Sequence, residues 1–275
     1  KTVAFGPSGG GTLDTTDGVN VVVYGGSTVS TTGGAQNTIV GSSGINLHAG
    51  DTLNFDVADG TDAVDLDVSA HLWNGGGVNK TGDGVMRLSG NNTYGGATTV
   101  NGGTLLVEGS HSGGGAYTVA AGATLGGSGD IGGSAVDLSG RLSPGSSAGT
   151  LATGSQTWND GGSFLLEIDD AAGTAGASPG WDLLSIDGQL VLTGIADGGF
   201  TIALDALPAG PLPNFTADGS TAIAWDFVHT TGGLVDFQSS MFTVDTSAFA
   251  DTTPLTNVFG TGEFEVVSAD DKLWL

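Results

Sequence analysis

The chain has 275 residues, with 52 glycines, no cysteine, five basic and 29 acidic residues, and a formal net charge of −24. So few cations cannot neutralise a run of phosphates, which argues against nucleic-acid binding and against attraction to anionic lipid. Without cysteine the chain has no disulfide framework and no thiolate ligand or nucleophile, and without a long apolar stretch no part of it is predicted to insert into a membrane.

The chain begins with a short alternating segment over residues 1–5. Alternation of apolar and polar side chains predicts a β-strand. No capping helix is predicted around it, so we expect the strand to pair within its own chain or to add to the sheet edge of a neighbouring molecule. The residues predicted to take part in self-association lie here and at the other end of the chain: Lys1, Thr2, Val3, Ala4, Phe5, Leu273, Trp274 and Leu275.

An acidic run surrounds Gly60 and contains Asp56, Asp59 and Asp62. Calcium prefers several hard oxygen ligands, which closely spaced aspartates beside a glycine turn can supply. The run lacks the residue order of an EF-hand loop, however. The favoured interpretation is a strand over residues 64–68 with aspartates facing solvent, and a calcium site at the three named residues is the weaker alternative. No other cofactor is predicted.

The clearest pattern is strict alternation over residues 78–100, where the even positions repeatedly carry small or apolar residues. A strand places successive side chains on opposite faces, so one face of this segment is predicted to be buried. Glycines interrupt the series every few residues, which predicts short strands joined by corners. A helical period is absent from the whole glycine-rich part of the chain.

A recurring unit of glycine, one or two small residues and leucine appears several times, and its leucines Leu105, Leu125 and Leu142 follow one another at nearly equal intervals. Their spacing is close to the roughly 20 residues that are typical of one turn of a parallel β-solenoid. Glycine suits the corners of such a coil because it adopts positive φ without strain. Residues 1–180 are therefore predicted to form about nine coils.

Residues 77–109 resemble the passenger-associated repeat of autotransporter-type bacterial surface proteins. The residues that fit the repeat are Lys80, Gly82, Gly84, Leu88, Gly90, Asn92, Tyr94, Gly96, Thr98, Val100, Gly103 and Leu105, with Met86 in place of a leucine. The resemblance implies an all-β fold, a right-handed parallel β-helix, in a protein that is exported and displayed at, or released from, a bacterial surface.

The composition changes near Pro179, since residues 181–275 contain ten glycines and eight of the eleven phenylalanines. We interpret residues 1–180 as the solenoid body and residues 181–275 as a more apolar, β-rich region. Its aromatic side chains predict a cap or a subunit interface.

No set of residues predicts catalysis. The four histidines are scattered without metal-ligand spacing and are expected at the surface or at the end of a stack, and most tryptophans and Tyr94 are expected in the core. The preferred hypothesis is a non-enzymatic extracellular or cell-surface structural protein, with itself as partner, stacked head to tail into a filament or coat. The alternatives are a monomeric stalk or adhesin that binds glycans or other surface proteins, and a polysaccharide-active β-helix enzyme.

Overall fold

The protein is almost entirely β-structure. A computed structural model describes residues 2–6, 10–16, 21–207, 212–215, 223–249 and 264–275. Over these ranges the chain forms β-strands and one short 3-10 helix, Ser239–Met241, and contains no α-helix. The all-β prediction is confirmed. Lys1, one of the residues predicted to take part in self-association, lies outside the described ranges.

The strands are mostly short, and the longest ones lie between residues 150 and 248. In chain order they are β1 (Thr2–Ala4), β2 (Thr12–Asp14), β3 (Val21–Val23), β4 (Thr28–Ser30), β5 (Asn37–Val40), β6 (Ile45–Leu47), β7 (Thr52–Asp56), β8 (Leu66–Val68), β9 (Leu72–Trp73), β10 (Gly77–Thr81), β11 (Val85–Leu88), β12 (Asn91–Asn92), β13 (Thr98–Val100), β14 (Thr104–Val107), β15 (Ser110–His111), β16 (Tyr117–Val119), β17 (Thr124–Gly127), β18 (Val136–Leu138), β19 (Arg141–Pro144), β20 (Thr150–Trp158), β21 (Ser163–Ile168), β22 (Thr174–Ala175), β23 (Gly180–Trp181), β24 (Leu183–Val191), β25 (Phe200–Ala206), β26 (Asp226–Thr230), β27 (Leu234–Val235), β28 (Phe242–Ala248), β29 (Val267–Ala269) and β30 (Lys272–Trp274).

These strands stack into two long sheets. The first long sheet has the order β1-β4-β7-β10-β13-β16-β18-β20-β24-β26-β30-β29. The second follows β2-β5-β8-β11-β14-β17-β19-β21 and continues through β25 to β28. In both sheets most neighbouring strands are not consecutive in the chain, and the neighbours from β1 to β26 in the first long sheet are parallel. Each coil of the chain therefore lies on the preceding coil. This is the predicted parallel β-solenoid.

The length of a coil varies along the chain. The first coil brings Thr2 beside Thr28, whereas a shorter coil in the alternating segment brings Val78 beside Thr98. Farther on the coil is about twice as long, since Leu184 lies beside Val228. The predicted period of about 20 residues is therefore confirmed for the central coils. The segment 1–180 contributes eight strands to the first long sheet rather than about nine, because the first coils are longer.

Inward side chains form continuous stacks, here called ladders. Leu105, Leu125 and Leu142 occupy equivalent positions on consecutive coils, and all three are fully buried. Met86 precedes them and Phe164 follows them in the same ladder. Because the ladder spacing is the strand spacing of about 4.8 Å, each of these side chains contacts the one above and the one below. The leucine spacing seen in the sequence thus marks one ladder of the core.

The alternation over residues 78–100 coincides with the inside and outside of the coil. Val78, Met86, Leu88 and Val100 are among its buried apolar side chains. The intervening odd positions are all half-buried or exposed. The alternation of buried and exposed positions continues across the corners, because each turn leaves the next strand with its even-numbered positions facing inward.

The cross-section of the coil changes near residue 150. The early coils have three short strands, and the third face is seen in the small sheets β3-β6-β9 and β12-β15. Strand β20 is much longer and bends at an irregularity between Gly154 and Gln156, so that it occupies two former faces. The next coil consequently has two long strands, β24 and β25.

Both long sheets cross residue 180 without a break. Strand β20 pairs with β24, and β21 pairs with β25, in parallel. The composition change near Pro179 therefore does not mark the end of the coil, which continues into residues 181–275. The far end of the first long sheet is formed by an antiparallel hairpin, β29 and β30, with β30 paired to β26.

We predict that the substitution Leu125→Ala lowers the free energy of unfolding by about 2–5 kcal/mol, because it leaves a cavity in the middle of a ladder. The matched control Leu106→Ala removes the same atoms from the adjacent coil, where the side chain faces outward and is only half-buried. Its loss should be clearly smaller. Urea unfolding of both variants measures the two values, and equal losses would contradict the assignment of inside and outside.

Candidate functional site: the repeat segment and the two ends

The lysine of the repeat segment lies inside the coil. Lys80 is fully buried, in the ladder between Phe55 and Val100. Its ammonium donates hydrogen bonds to the backbone carbonyls of Thr81 and Gly82, both at 2.9 Å, and of Gly102 at 3.1 Å. The three hydrogens of the ammonium are thereby used, and the lysine holds together the corners of two consecutive coils.

The pKa of Lys80 shows the cost of this burial. Desolvation lowers the pKa to about 8, against the opposing pull of the nearby carboxylates of Asp56, Asp65 and Asp83. A buried lysine with a lowered pKa is a frequent feature of catalytic sites. Here, however, the ammonium is enclosed by the three backbone carbonyls to which it donates.

The glycines of the repeat segment are required where coils approach each other. Gly82 has φ of +74°, and a Cβ at this position would lie 2.4 Å from the carbonyl oxygen of Val57 on the preceding coil. Gly103 has φ of +59°, and its Cβ would lie 2.5 Å from the carbonyl oxygen of Gly84. Positive φ and close backbone approach both exclude a side chain at these corners.

The asparagine of the repeat segment replaces a backbone partner at a third corner. Asn92 is buried; its side-chain oxygen accepts a hydrogen bond from the backbone N–H of Leu72 at 2.9 Å, and its side-chain nitrogen donates to the carbonyl of Gly90 at 3.1 Å. A buried backbone N–H without a partner costs about 1–3 kcal/mol. The asparagine removes this cost where the chain leaves the strand ladder.

A buried aromatic network follows on the next coils. Tyr94 stacks on His111 with ring centroids 4.0 Å apart, and its hydroxyl lies 2.7 Å from the hydroxyl of Thr98. His111 Nε2 lies 2.7 Å from the carbonyl oxygen of Tyr94, which only accepts, so this nitrogen carries the hydrogen. His111 Nδ1 then accepts from the Tyr117 hydroxyl at 2.8 Å. Burial lowers the pKa of His111, consistent with a neutral ring.

This network corrects one expectation from the sequence. The histidines were expected at the surface or at the end of a stack, but His111 is fully buried in the middle of the coil. Tyr94, Trp158 and Trp225 are fully buried, as expected for core aromatics, whereas Trp73 is only half-buried. The burial of His111 depends on the register between coils, because His111 lies directly beside Asn92 in the small sheet β12-β15. The sequence pattern did not reveal this register.

A buried acid lies where the coil changes its cross-section. Asp182 is fully buried and accepts backbone hydrogen bonds from Gly149 at 3.0 Å and from Glu167 at 2.9 Å. Burial raises the pKa of Asp182 to about 8; these N–H donors oppose the rise, and the carboxylates of Glu167 and Asp169 add to it. The carboxylate thus links strand β21, which contains Glu167, to the segments just before β20 and β24.

The structure does not bring the predicted calcium ligands together. Asp62 accepts the backbone N–H of Gln36 at 2.6 Å, and Asp56 accepts the hydroxyl of Thr81 at 3.4 Å, so these carboxylates contact different parts of neighbouring coils. Within the described ranges no group of three or more histidine or acidic side chains is arranged to hold a metal ion. Calcium at Asp56, Asp59 and Asp62 stays a prediction without geometric support.

At the N-terminal end, the predicted strand forms and pairs within its own chain. Thr2, Val3 and Ala4 lie beside β4 in parallel and are exposed, whereas Phe5 is buried. Strand β1 is the last strand of the first long sheet. One of its edges is therefore used by its own chain, and the other is the edge on which the prediction of self-association depends.

At the C-terminal end, the predicted residues close the coil. Leu273 and Leu275 are buried, and β30, which contains Trp274, lies between β26 and β29. The backbone of Leu275 exchanges two hydrogen bonds of 2.9 Å with Trp225. Strand β30 extends the first long sheet beyond its last parallel strand and leaves β29 as the outer strand. The part of these residues in self-association stays a prediction.

A shallow groove of about 350 Å³ runs along one corner of the coil. Glycine and alanine line much of it, and its polar side chains are Thr124, Ser139, Arg141 and Ser163. The buried polar groups described above lie elsewhere in the coil. Its hydroxyl groups and the Arg141 guanidinium can donate hydrogen bonds, and no acidic or histidine side chain is among its lining residues.

Comparison with known families places the repeat. Residues 78–107 match the family model described as a passenger-associated-transport-repeat. No curated protein matches the chain. The matched residues include Lys80, Asn92, Tyr94 and Thr98, whose buried contacts are described above. The chain thus carries a repeat of bacterial passenger proteins, and the repeat indicates an exported surface protein. No helix in the described ranges has the length and apolarity needed to cross a membrane.

We predict that Lys80→Met lowers the free energy of unfolding by about 1–3 kcal/mol, because buried carbonyls lose their donor. The control Lys272→Met removes the same charge from a partly exposed lysine whose ammonium contacts Asp226 at 3.0 Å, and should cost about 0–1 kcal/mol. Chemical denaturation measures both. If Lys80→Met is as stable as the wild type, the three carbonyl contacts do not stabilise the fold.

The raised pKa of Asp182 predicts a pH dependence of stability. An acid whose pKa rises on folding binds its proton more tightly in the folded state, so its contribution is fully present below the unfolded value of 3.8 and is lost as the pH rises to about 8. Over this window the wild type should lose stability relative to Asp182→Asn. Asp187→Asn, at an exposed position, controls for net charge. Parallel pH profiles for wild type and Asp182→Asn would contradict the prediction.

Proposed function

We propose that this chain, which carries a passenger-associated-transport repeat, is a non-enzymatic structural rod of an exported bacterial surface protein. The observation that supports this most directly is the continuity of the first long sheet through twelve strands. At about 4.8 Å per strand, the stack is about 50 Å long. A parallel coil of this kind resists bending because each inner strand is bonded to both neighbours.

The placement of the titratable groups supports a non-enzymatic function. Enzymes direct groups with perturbed pKa values into a cleft where substrate reaches them. In this chain Lys80, His111 and Asp182 are fully buried and use their polar atoms on the backbone or on neighbouring side chains. No comparable observation supports the alternative that the chain is a polysaccharide-active enzyme.

The filament or coat is a second candidate, and the two end strands favour it. Both outer strands of the first long sheet, β1 and β29, carry an exposed valine, Val3 and Val267. An exposed strand edge pairs readily with another chain. An adhesin that stacks sugars on aromatic rings has less support, because the tryptophans and Tyr94 are buried or half-buried.

Electron microscopy of negatively stained, purified protein tests the proposal. We expect short straight rods, and incubation with neutral and acidic polysaccharides should release no reducing ends or unsaturated products. Long filaments that grow with concentration would favour the second candidate. Turnover of a polysaccharide that is lost when one aspartate is changed to asparagine would overturn the non-enzymatic function.

A further inference from the structure

The groove at one corner of the coil arises from the lengths of three consecutive corners. The corner from β16 to β17 contains residues 120–123, and the corner from β20 to β21 contains residues 159–162. The corner between them, from β18 to β19, contains only residues 139–140, although the strands on both sides of it stay in register. The middle corner is therefore recessed between two projecting turns, and the groove of about 350 Å³ lies there.

An outward ladder supplies most of the polar atoms of the groove. Arg141 lies beside Thr124 on the preceding coil and beside Ser163 on the following coil, at the strand spacing of about 4.8 Å. Within the described ranges the hydroxyls of Thr124 and Ser163 have no hydrogen-bond partner. Ser139 accepts a hydrogen bond from Asn159 at 3.2 Å, which leaves its own hydroxyl hydrogen to donate. Three hydroxyls and a guanidinium thus face one small space.

The positive charge of the groove is not neutralised by the protein. Arg87 and Lys272 each contact an aspartate at 3.0 Å, and Lys80 is buried. Arg141 is exposed, and its guanidinium forms neither an ion pair nor a hydrogen bond with any residue that the structure describes. Its donors are therefore open to a ligand.

The acidic side chains around the groove have other partners. Asp160 accepts the backbone N–H of Ala196 at 3.0 Å, and Asp137 accepts a hydrogen bond from an asparagine side chain. Asp245 lies on β28, which β21 and β25 separate from the strand of Arg141. The pKa of Asp245 is lowered mainly by hydrogen bonds within its own turn, and the charge of Arg141 adds a smaller effect. Arg141 therefore acts on this carboxylate only from a distance.

The charge and the size of the groove define the class of ligand. In a chain of net charge −24, an unpaired guanidinium without an acidic lining residue is a local site of attraction for an anion. The planar fork of arginine fits a carboxylate with two parallel hydrogen bonds. The groove is larger than a carboxylate group, and its volume is at the lower end of the roughly 300–1,000 Å³ of small-molecule sites. Its hydroxyls suit a ligand whose remaining part is uncharged and rich in hydroxyl groups.

We propose that the groove binds a saccharide with a single carboxylate, such as a uronic acid at the end of a glycan. The guanidinium of Arg141 pairs with the carboxylate, and the hydroxyls of Thr124, Ser139 and Ser163 bond to the hydroxyls of the sugar. A polymer with many carboxylates is disfavoured, because the net charge of the chain repels it. The inference adds a binding site to the proposed rod and does not depend on the rod function.

Titration of the isotope-labelled protein with glucuronic acid, followed by NMR, locates the ligand. The backbone amide signals of Thr124, Gly140 and Ser163 should shift together as the sugar is added. Glucose, which lacks the carboxylate, and acetate, which lacks the sugar ring, should each bind more weakly by roughly tenfold or more, because each loses one of the two sets of hydrogen bonds.

The substitution Arg141→Gln removes the charge and should weaken the binding of glucuronic acid by roughly tenfold or more. Arg87→Gln is the matched control, because it removes the same charge from an outward position of the same sheet, where the guanidinium contacts Asp67. It should leave the affinity unchanged. Circular dichroism verifies that both variants are folded.

A second variant tests the shape of the groove without changing its charge. Insertion of two glycines between Ser139 and Gly140 gives the middle corner the length of its two neighbours. The projecting turn should then fill the groove and abolish binding, although Arg141 is still present. Retention of full affinity in this variant would contradict the placement of the ligand.

Several results would overturn the proposal. If glucuronic acid shifts none of the three amide signals, or if Arg141→Gln binds it as well as the wild type, the groove is not its site. Equal binding of acetate would remove the saccharide from the proposal, and equal binding of glucose would remove the carboxylate. Tighter binding of inorganic phosphate would assign the groove to phosphate groups instead. The rod function is tested separately by electron microscopy, which none of these outcomes affects.

Discussion

The structure depends on one constraint, the parallel stacking of each coil on the one before it. Stacking places equivalent residues about 4.8 Å apart, so a side chain that enters a ladder must be compatible with two neighbours of the same kind. Leucine, valine and isoleucine satisfy this in most ladders. Where bulkier rings enter, as at Trp158 and Phe200, they stack with centroids 4.4 Å apart and nearly parallel planes. The apolar core therefore has the form of columns.

Several polar groups enter these columns where the stacking leaves backbone atoms without partners. Lys80, Asn92 and Asp182 differ in charge, yet each bonds to backbone groups at a corner or at a change of cross-section. A buried polar atom is costly unless it is satisfied, and these residues satisfy both themselves and the chain. The buried polar residues of the repeat segment thus stabilise the fold, which agrees with the non-enzymatic function proposed for the chain.

The outer strands of the first long sheet have different surroundings at the two ends of the coil. The C-terminal end reverses direction in an antiparallel hairpin and buries the last core residues, whereas the N-terminal coil leaves Val3 open at the end of its ladder. Edge strands that are neither covered nor charged associate with other chains.

The sequence by itself determined the class of fold, the buried face of residues 78–100 and the ladder of Leu105, Leu125 and Leu142, because alternation and a regular leucine spacing are local consequences of stacking. The repeat was also evident from its residues, although their functions were not: that Lys80 and His111 are buried follows only from which coils lie above and below them. Tertiary structure alone decided the longer coils at both ends and the continuation of the sheets past Pro179. It also decided the separation of the three aspartates around Gly60. In each case the deciding quantity is the register between coils, which depends on contacts between distant parts of the chain and leaves no periodic trace in the sequence where coil length varies.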